Sequence, residues 1–138
     1  MSTEDNKELG RRALEAVNTH NVSEYAQYFA PDSKFYGFAP QTLDLEGYKQ
    51  TLAMAFAAFP DWHLTIEDMI AEGDKVVLRY TIHGTHQGAF QGIHPTGKQF
   101  TVTGITIGYF VNGRCVELRT EFDNLGLLQQ LGVIPSMG

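Results

Sequence analysis

Up to Pro60 the apolar residues recur at helical spacing; beyond it they fall mostly at every second position. Leu9, Ala13, Ala16 and Val17 form the first helical stripe. Ser2-Thr3-Glu4-Asp5 ahead of it supplies capping oxygens and early negative charge, so a helix is predicted to about Asn18. Asn21-Val22-Ser23-Glu24 reads as a second helix start, with Tyr25, Tyr28 and Phe29 as its stripe and Pro31-Asp32 as its end. Ser33 to Phe38 is short, aromatic and predicted extended, and Ala39-Pro40-Gln41 is a loop. From Leu45, the spacing of Tyr48, Leu52, Ala55-Phe56 and Phe59 predicts a third helix, closed by Pro60.

After Pro60, Leu64, Ile66, Asp68 and Ile70 alternate with Thr65, Glu67, Met69 and Ala71, a strand pattern. Glu72-Gly73-Asp74-Lys75 reads as a turn, and Val76 to Gly84 as a second long strand that Thr85 to Phe90 would continue past a glycine bend. Gly92 to Lys98 is a connecting loop. Gln99 to Phe110 is a third strand, whose internal Gly104 and Gly108 mark a bend or a place where something approaches the backbone. Asn112-Gly113 is a two-residue hairpin signal, because both central positions of a type I′ turn need positive φ. In the strand after it, Val116, Leu118, Thr120 and Phe122 share one face, and Cys115, Glu117, Arg119 and Glu121 the other. The first face is apolar except at Thr120, so this hydroxyl is expected to point inward. Asp123 ends the strand in front of a short apolar helix. The order is α+β: three N-terminal helices covering one face of a curved antiparallel sheet, then a short C-terminal helix, with residues 1–138 forming one domain.

Composition narrows the function classes. A net charge of −6, with ten scattered Lys and Arg, argues against a nucleic-acid or anionic-membrane partner, both of which need clustered cations. The single cysteine excludes an internal disulfide and fits a reducing compartment. The polar, acidic start reads as lacking a signal peptide, and no apolar run approaches the roughly 20 residues of a membrane span. A cytoplasmic location is the expectation.

Three stretches carry a resemblance. They are Phe59-Pro60-Asp61-Trp62, the run Gly84-Thr85-His86-Gln87-Gly88-Ala89-Phe90-Gln91-Gly92-Ile93-His94-Pro95-Thr96-Gly97-Lys98, and Glu121-Phe122-Asp123-Asn124-Leu125-Gly126-Leu127-Leu128-Gln129-Gln130-Leu131-Gly132. With the element order, they make the chain similar to the SnoaL-like polyketide (ester) cyclases of the nuclear-transport-factor-2-like superfamily, from about Lys7 onward. The resemblance implies a cone enclosing one apolar pocket, usually in a homodimer, and ring closure by intramolecular aldol condensation without metal or cofactor. It also implies an acidic side chain on the last strand that exchanges protons with the substrate, helped in some members by a histidine on the preceding strand. Aligned on Asn112-Gly113 and Gly126, the acid position falls at Thr120 and the assisting position at Thr106. A threonine hydroxyl offers only hydrogen bonds near neutral pH.

Other candidates carry two readings each. Asp123 is a backup acid or the cap of the last helix; His63 is a backup base or a strand-end histidine with a solvated tip. Tyr80 could donate to a substrate carbonyl or be a buried tyrosine satisfied internally. His83, His86 and His94 suggest a metal, but a spacing of three on a strand puts the first two on opposite faces, and no metal site is expected. Asp44 and Arg79 could form an acid–arginine pair, and Glu121 is expected exposed or at a subunit contact. The expected pocket lining is Thr120, Thr106, Leu118, Phe122, Tyr80, Phe56 and Phe59, around a small hydrophobic molecule. Three functions follow: a cofactor-independent cyclase-type enzyme in which Thr120 orients a substrate oxygen, a non-catalytic binding module, or a structural dimer using Cys115, Glu117 and Arg119 on its outer sheet face.

Overall fold

A computed structural model describes residues 2–135. Helix α1 (Thr3–Val17) opens with a reciprocal capping box in which Ser2 accepts from the Asp5 N–H and Asp5 accepts from the Ser2 N–H. Helix α2 (Val22–Ala26) is capped by Asn21. Strand β1 (Phe29–Tyr36) precedes helix α3 (Leu45–Ala58), and β2 (His63–Glu72), β3 (Lys75–Thr85), β4 (Gln99–Val111) and β5 (Arg114–Phe122) follow, with α4 (Asn124–Gln130) last. The five strands form one sheet in the order β1-β5-β4-β3-β2. The pairs from β2 to β5 are antiparallel, as the short turns require, and β1 joins β5 in parallel. Helix α1 lies over β2 and β3, α3 over β1, and α4 against β4.

Four local expectations need correction. The stripe assigned to a longer second helix is cut at Ala26, and Phe29 already belongs to β1. Pro31-Asp32 lies inside that strand rather than ending a helix. An edge strand tolerates the proline because the pairing with β5 is interrupted between Phe29 and Lys34. In β2 the partners step from Ile66↔Tyr80 to Asp68↔Arg79, which leaves Glu67 as an extra residue. One extra residue inverts the alternation. Leu64 and Ile66 therefore face inward, but so do Met69 and Ala71, while Ile70 is 66% exposed.

A second bulge, at Val116, changes β5 in the same way: Tyr109 pairs with Glu117 and Phe110 with Cys115. Cys115 is thus buried beside the core instead of lying on the outer face. The expected continuation of β3 through Phe90 does not form; the strand stops at Thr85, and the chain leaves the ladder. The Asn112-Gly113 hairpin is as expected, with φ of 50° and 83°.

The core fills the space between the helices and the inward residues of the sheet. Phe35 is fully buried and stacks on Tyr48 at 4.1 Å, with Phe29 at 5.1 Å. Burying such a ring contributes about 1.5–3 kcal/mol. Two side-chain amides finish the ladders where a neighbouring strand runs out. Asn18 accepts from the Leu64 N–H and donates to its carbonyl, and Gln130 does the same for Thr101. Backbone groups at those strand ends are thereby paired.

Candidate functional site

Midway along the inner face, Leu78, Thr106 and Thr120 stand side by side on β3, β4 and β5. One row over, Tyr80 is opposite Gly104, which is opposite Phe122. A Cβ at Gly104 would lie 2.7 Å from the Tyr80 ring and hydroxyl and 2.8 Å from the Phe122 Cβ. The missing side chain therefore lets the phenol lie across β4 and reach β5. There the Tyr80 hydroxyl is 2.9 Å from Thr120 Oγ1, which is 2.9 Å from Thr106 Oγ1.

The hydrogen bonds of this cluster close. Thr120 donates to the Ile105 carbonyl at 3.3 Å, leaving its two lone pairs to accept from Tyr80 and Thr106. All three side chains are buried. Gly37, the residue after β1, backs the cluster: its φ is 95°, and a Cβ there would sit 2.0 Å from the Thr120 carbonyl oxygen. The site is thus set by two glycines, one under the phenol and one behind the central threonine.

Leu118 and Phe122 lie two residues either side of Thr120, the first buried and the second partly so. Phe56 and Phe59 are elsewhere. Phe56 stacks on His20 at 4.1 Å and meets Trp62, while Phe59 packs with Phe90 and Phe100. Next to the cluster, a cavity of about 10 Å³ is lined by Tyr25, Leu78, Gly108, Phe110, Cys115 and Leu118, room for about one water. Burial pushes the Cys115 thiol up to about 12. An open cleft of about 610 Å³ runs along the β1 edge past Lys34, Tyr36, Gln41, Thr42, Leu43 and Asp44.

The carboxylate, histidine and arginine candidates stand apart from this cluster. Asp123 is exposed and accepts from the Gly126 N–H at 2.8 Å, capping α4. His63 is exposed and stacks on the equally exposed His83, their rings 5.3 Å apart. His86 is fully buried and His94 exposed, so the three histidines do not converge, and no group of three metal-ligating side chains occurs among the described residues. Asp44 caps α3 through the Gly47 N–H, whereas Arg79 pairs with Asp68 on the outer face. Glu121 is exposed, and Arg119 pairs with Glu117 and covers the Tyr36 ring.

Sequence reasoning missed a second buried hydroxyl pair, Tyr25 with Tyr48 at 2.9 Å. Burial raises both phenols above their ordinary range, and the Tyr25 neighbour adds to the rise at Tyr48. Their helical spacing marked them as core, but nothing local tells which phenols meet.

The profile of the SnoaL-like polyketide cyclases matches residues 7–131. Among curated proteins, the aklanonic acid methyl ester cyclase AcmA of Streptomyces galilaeus is 30% identical over 88% of this chain and 87% of its own length. The corresponding cyclase DnrD of Streptomyces peucetius is 28% identical over 91% and 89%. Among solved structures, AclR of Streptomyces galilaeus, provisionally assigned as a hydroxylase, superposes with a TM-score of 0.91 at 29% identity, covering 99% of this chain and 87% of that one. IdmH of Streptomyces antibioticus, provisionally assigned as a polyketide cyclase, gives 0.81 at 31% identity, covering 92% and 98%.

Proposed function

The chain belongs to the SnoaL-like polyketide cyclase family, and we propose that it acts on a hydrophobic polycarbonyl or ester substrate at the Tyr80–Thr106–Thr120 cluster. The observation that carries this reading is a closed set of three buried hydroxyls on an otherwise apolar inner face. A few polar anchors in apolar surroundings are the usual chemistry of a small-molecule site; the space beside the cluster holds about one water, so a substrate enters by displacing the side chains around it. In ring closure, a carbon next to one carbonyl loses a proton and attacks a second carbonyl, whose oxygen then takes a proton. No atom is gained or lost. Thr120 and Tyr80 hydrogen-bond the enolate or carbonyl oxygen, exchanging their internal bonds for substrate bonds. They hold the oxygen in place, and a threonine hydroxyl at the acid position offers hydrogen bonds rather than proton exchange near neutral pH. The Cα proton then leaves to solvent, helped by conjugation in the substrate. The reading takes the protein as a cytoplasmic homodimer: the lone cysteine fits the compartment, and half-exposed Ile105 and exposed Ile70 leave apolar surface on the outer sheet face for a second copy.

Two further readings share this site. The AclR likeness favours oxygenation of the same substrate class. The absence of any carboxylate or imidazole in the hydroxyl cluster favours binding without chemistry. One experiment separates them: the protein is incubated with aklanonic acid methyl ester, the compound in the relatives' names, and the products are read by mass spectrometry. Ring closure gives a new compound of unchanged mass, which is the expected result. Gain of one oxygen selects the hydroxylase reading, and saturable binding with the ester recovered intact selects the binding module. Neither binding nor turnover, for this ester and for smaller polycarbonyls, would overturn all three.

A further inference from the structure

The glycine–threonine–histidine stretch at the end of β3 has no part in the reading above, and its histidine, the first residue past the strand, holds a buried donor without an acceptor. His86 has no exposed surface. Its Nδ1 accepts from the Thr96 N–H at 3.2 Å and lies 3.1 Å from the Thr96 hydroxyl, whose oxygen in turn accepts from the Lys98 N–H. A backbone N–H can only donate, so Nδ1 is the acceptor and the proton of the neutral ring sits on Nε2. Among the described residues Nε2 has no hydrogen-bond partner. The ring neighbours of His86 are carbon: Phe59 at 5.6 Å and Phe90 at 6.5 Å. Buried polar groups are nearly always paired, and an exception calls for a specific reason.

The two aromatic neighbours are held differently. Phe59 is the C-terminal cap of α3 and packs on Phe100 of β4; both are buried, and both close over Gly84, where a Cβ would meet the Phe100 ring at 3.1 Å and the Phe59 Cβ at 3.2 Å. Phe90 is only partly buried. It sits on a tight hairpin in which Phe90 and Ile93 exchange backbone hydrogen bonds around Gln91 and Gly92, both at positive φ. The bonds that fix His86 are separate from that hairpin: its N–H donates to the Lys98 carbonyl, its carbonyl accepts from the Gly97 N–H, and the next two N–H groups donate to Ala58. None of the hydrogen bonds that fix His86 runs through the Phe90 hairpin.

We propose that the Nε2–H of His86 is a second anchor for the ligand, donating to a carbonyl oxygen of a flat aromatic polycarbonyl molecule whose ring replaces Phe90 against Phe59. The ligand class rests on the polycarbonyl reading above; the anchor is separate from the hydroxyl cluster and is tested separately. An aromatic slot with one donor at its end matches the recognition of a planar ring bearing a carbonyl, because the faces stack and the donor fixes the orientation.

The test uses alizarin, a dihydroxyanthraquinone, titrated into the full chain carrying isotope-labelled histidine. Its own absorbance reports binding, and NMR reports the His86 Nε2–H, assigned by its loss in His86→Phe or, should that variant not fold, in His86→Gln. On saturation the Nε2–H proton is expected to move downfield, and the folded variant to bind about three- to tenfold more weakly, the worth of one neutral hydrogen bond. Binding with an unmoved His86 signal overturns the anchor and leaves the hydroxyl site standing. An upfield proton insensitive to alizarin, which places the N–H over a ring face, also overturns it. If alizarin does not bind at all, the anchor falls, and the polycarbonyl reading falls with it only where aklanonic acid methyl ester is neither bound nor turned over.

Discussion

Two of the polar groups buried in the interior are of opposite character. At mid-sheet, Tyr80, Thr106 and Thr120 satisfy one another and the Ile105 carbonyl. At the end of β3, His86 is bonded on one ring nitrogen and bare on the other. The first arrangement stabilises the fold as it stands, and a ligand must exchange bonds to use it. The second costs the fold something and gives a ligand oxygen a donor that needs no exchange. Deleting a satisfied group leaves its partners unpaired, whereas deleting an unsatisfied one removes a penalty.

The largest effect should come from disturbing the backing of the first group. Gly37→Ala places a Cβ in steric conflict with the Thr120 carbonyl at a backbone angle that favours glycine. We expect a loss of about 3 kcal/mol or more in urea unfolding, and a stability unchanged from wild type would mean that β1 does not constrain the cluster. Next comes the direct comparison. Thr120→Val keeps the shape and strands the Tyr80 and Thr106 hydroxyls, for an expected loss of about 1–3 kcal/mol. His86→Phe should leave stability within about 0.5 kcal/mol of wild type, or raise it, since it removes the bare Nε2–H and gives up one bond from the backbone of Thr96, an exposed residue. Equal losses in the two variants would erase the distinction between the groups.

A smaller effect follows from pH. Burial raises the Cys115 thiol to about 12 and lifts the Tyr25 and Tyr48 phenols above their ordinary value. The folded state thus holds these protons more tightly than the unfolded chain does. Their contribution is complete below the unfolded values of 9.0 and 10.0 and declines as pH rises through and beyond them. The urea midpoint should fall from about pH 9 upward. A midpoint that stays level over that range would contradict the burial of these groups.

Most of the scaffold was legible because its signals are local. The caps at Ser2, Asn21 and Asp123, the third helix, and the Asn112-Gly113 turn each depend on a few adjacent residues. The alternation code failed wherever one inserted residue reset it, at Glu67 and Val116, because nothing in a run of side chains marks which residue will lack a partner. The parallel pairing of β1 was hidden for a different reason: its partner lies near the far end of the chain. Of the candidate site, the inward hydroxyl of Thr120 and the close approach signalled by Gly104 could be read in advance. That the approaching group is the Tyr80 phenol, from 40 residues away in sequence, could not. His86 was visible only as one member of a histidine group; its orphaned nitrogen is a property of the folded loop.

The central claim is that the hydroxyl cluster orients a substrate oxygen without moving protons. Turnover of aklanonic acid methyl ester by wild type and by Thr120→Asp, followed in parallel, tests it most directly. A positioned acid or base is worth about 10²–10⁴-fold, so the aspartate variant should close the ring at least about 10²-fold faster than wild type. Wild-type turnover as fast as that of the variant, with a bell-shaped pH profile, would show that another side chain supplies the proton chemistry and would contradict the account.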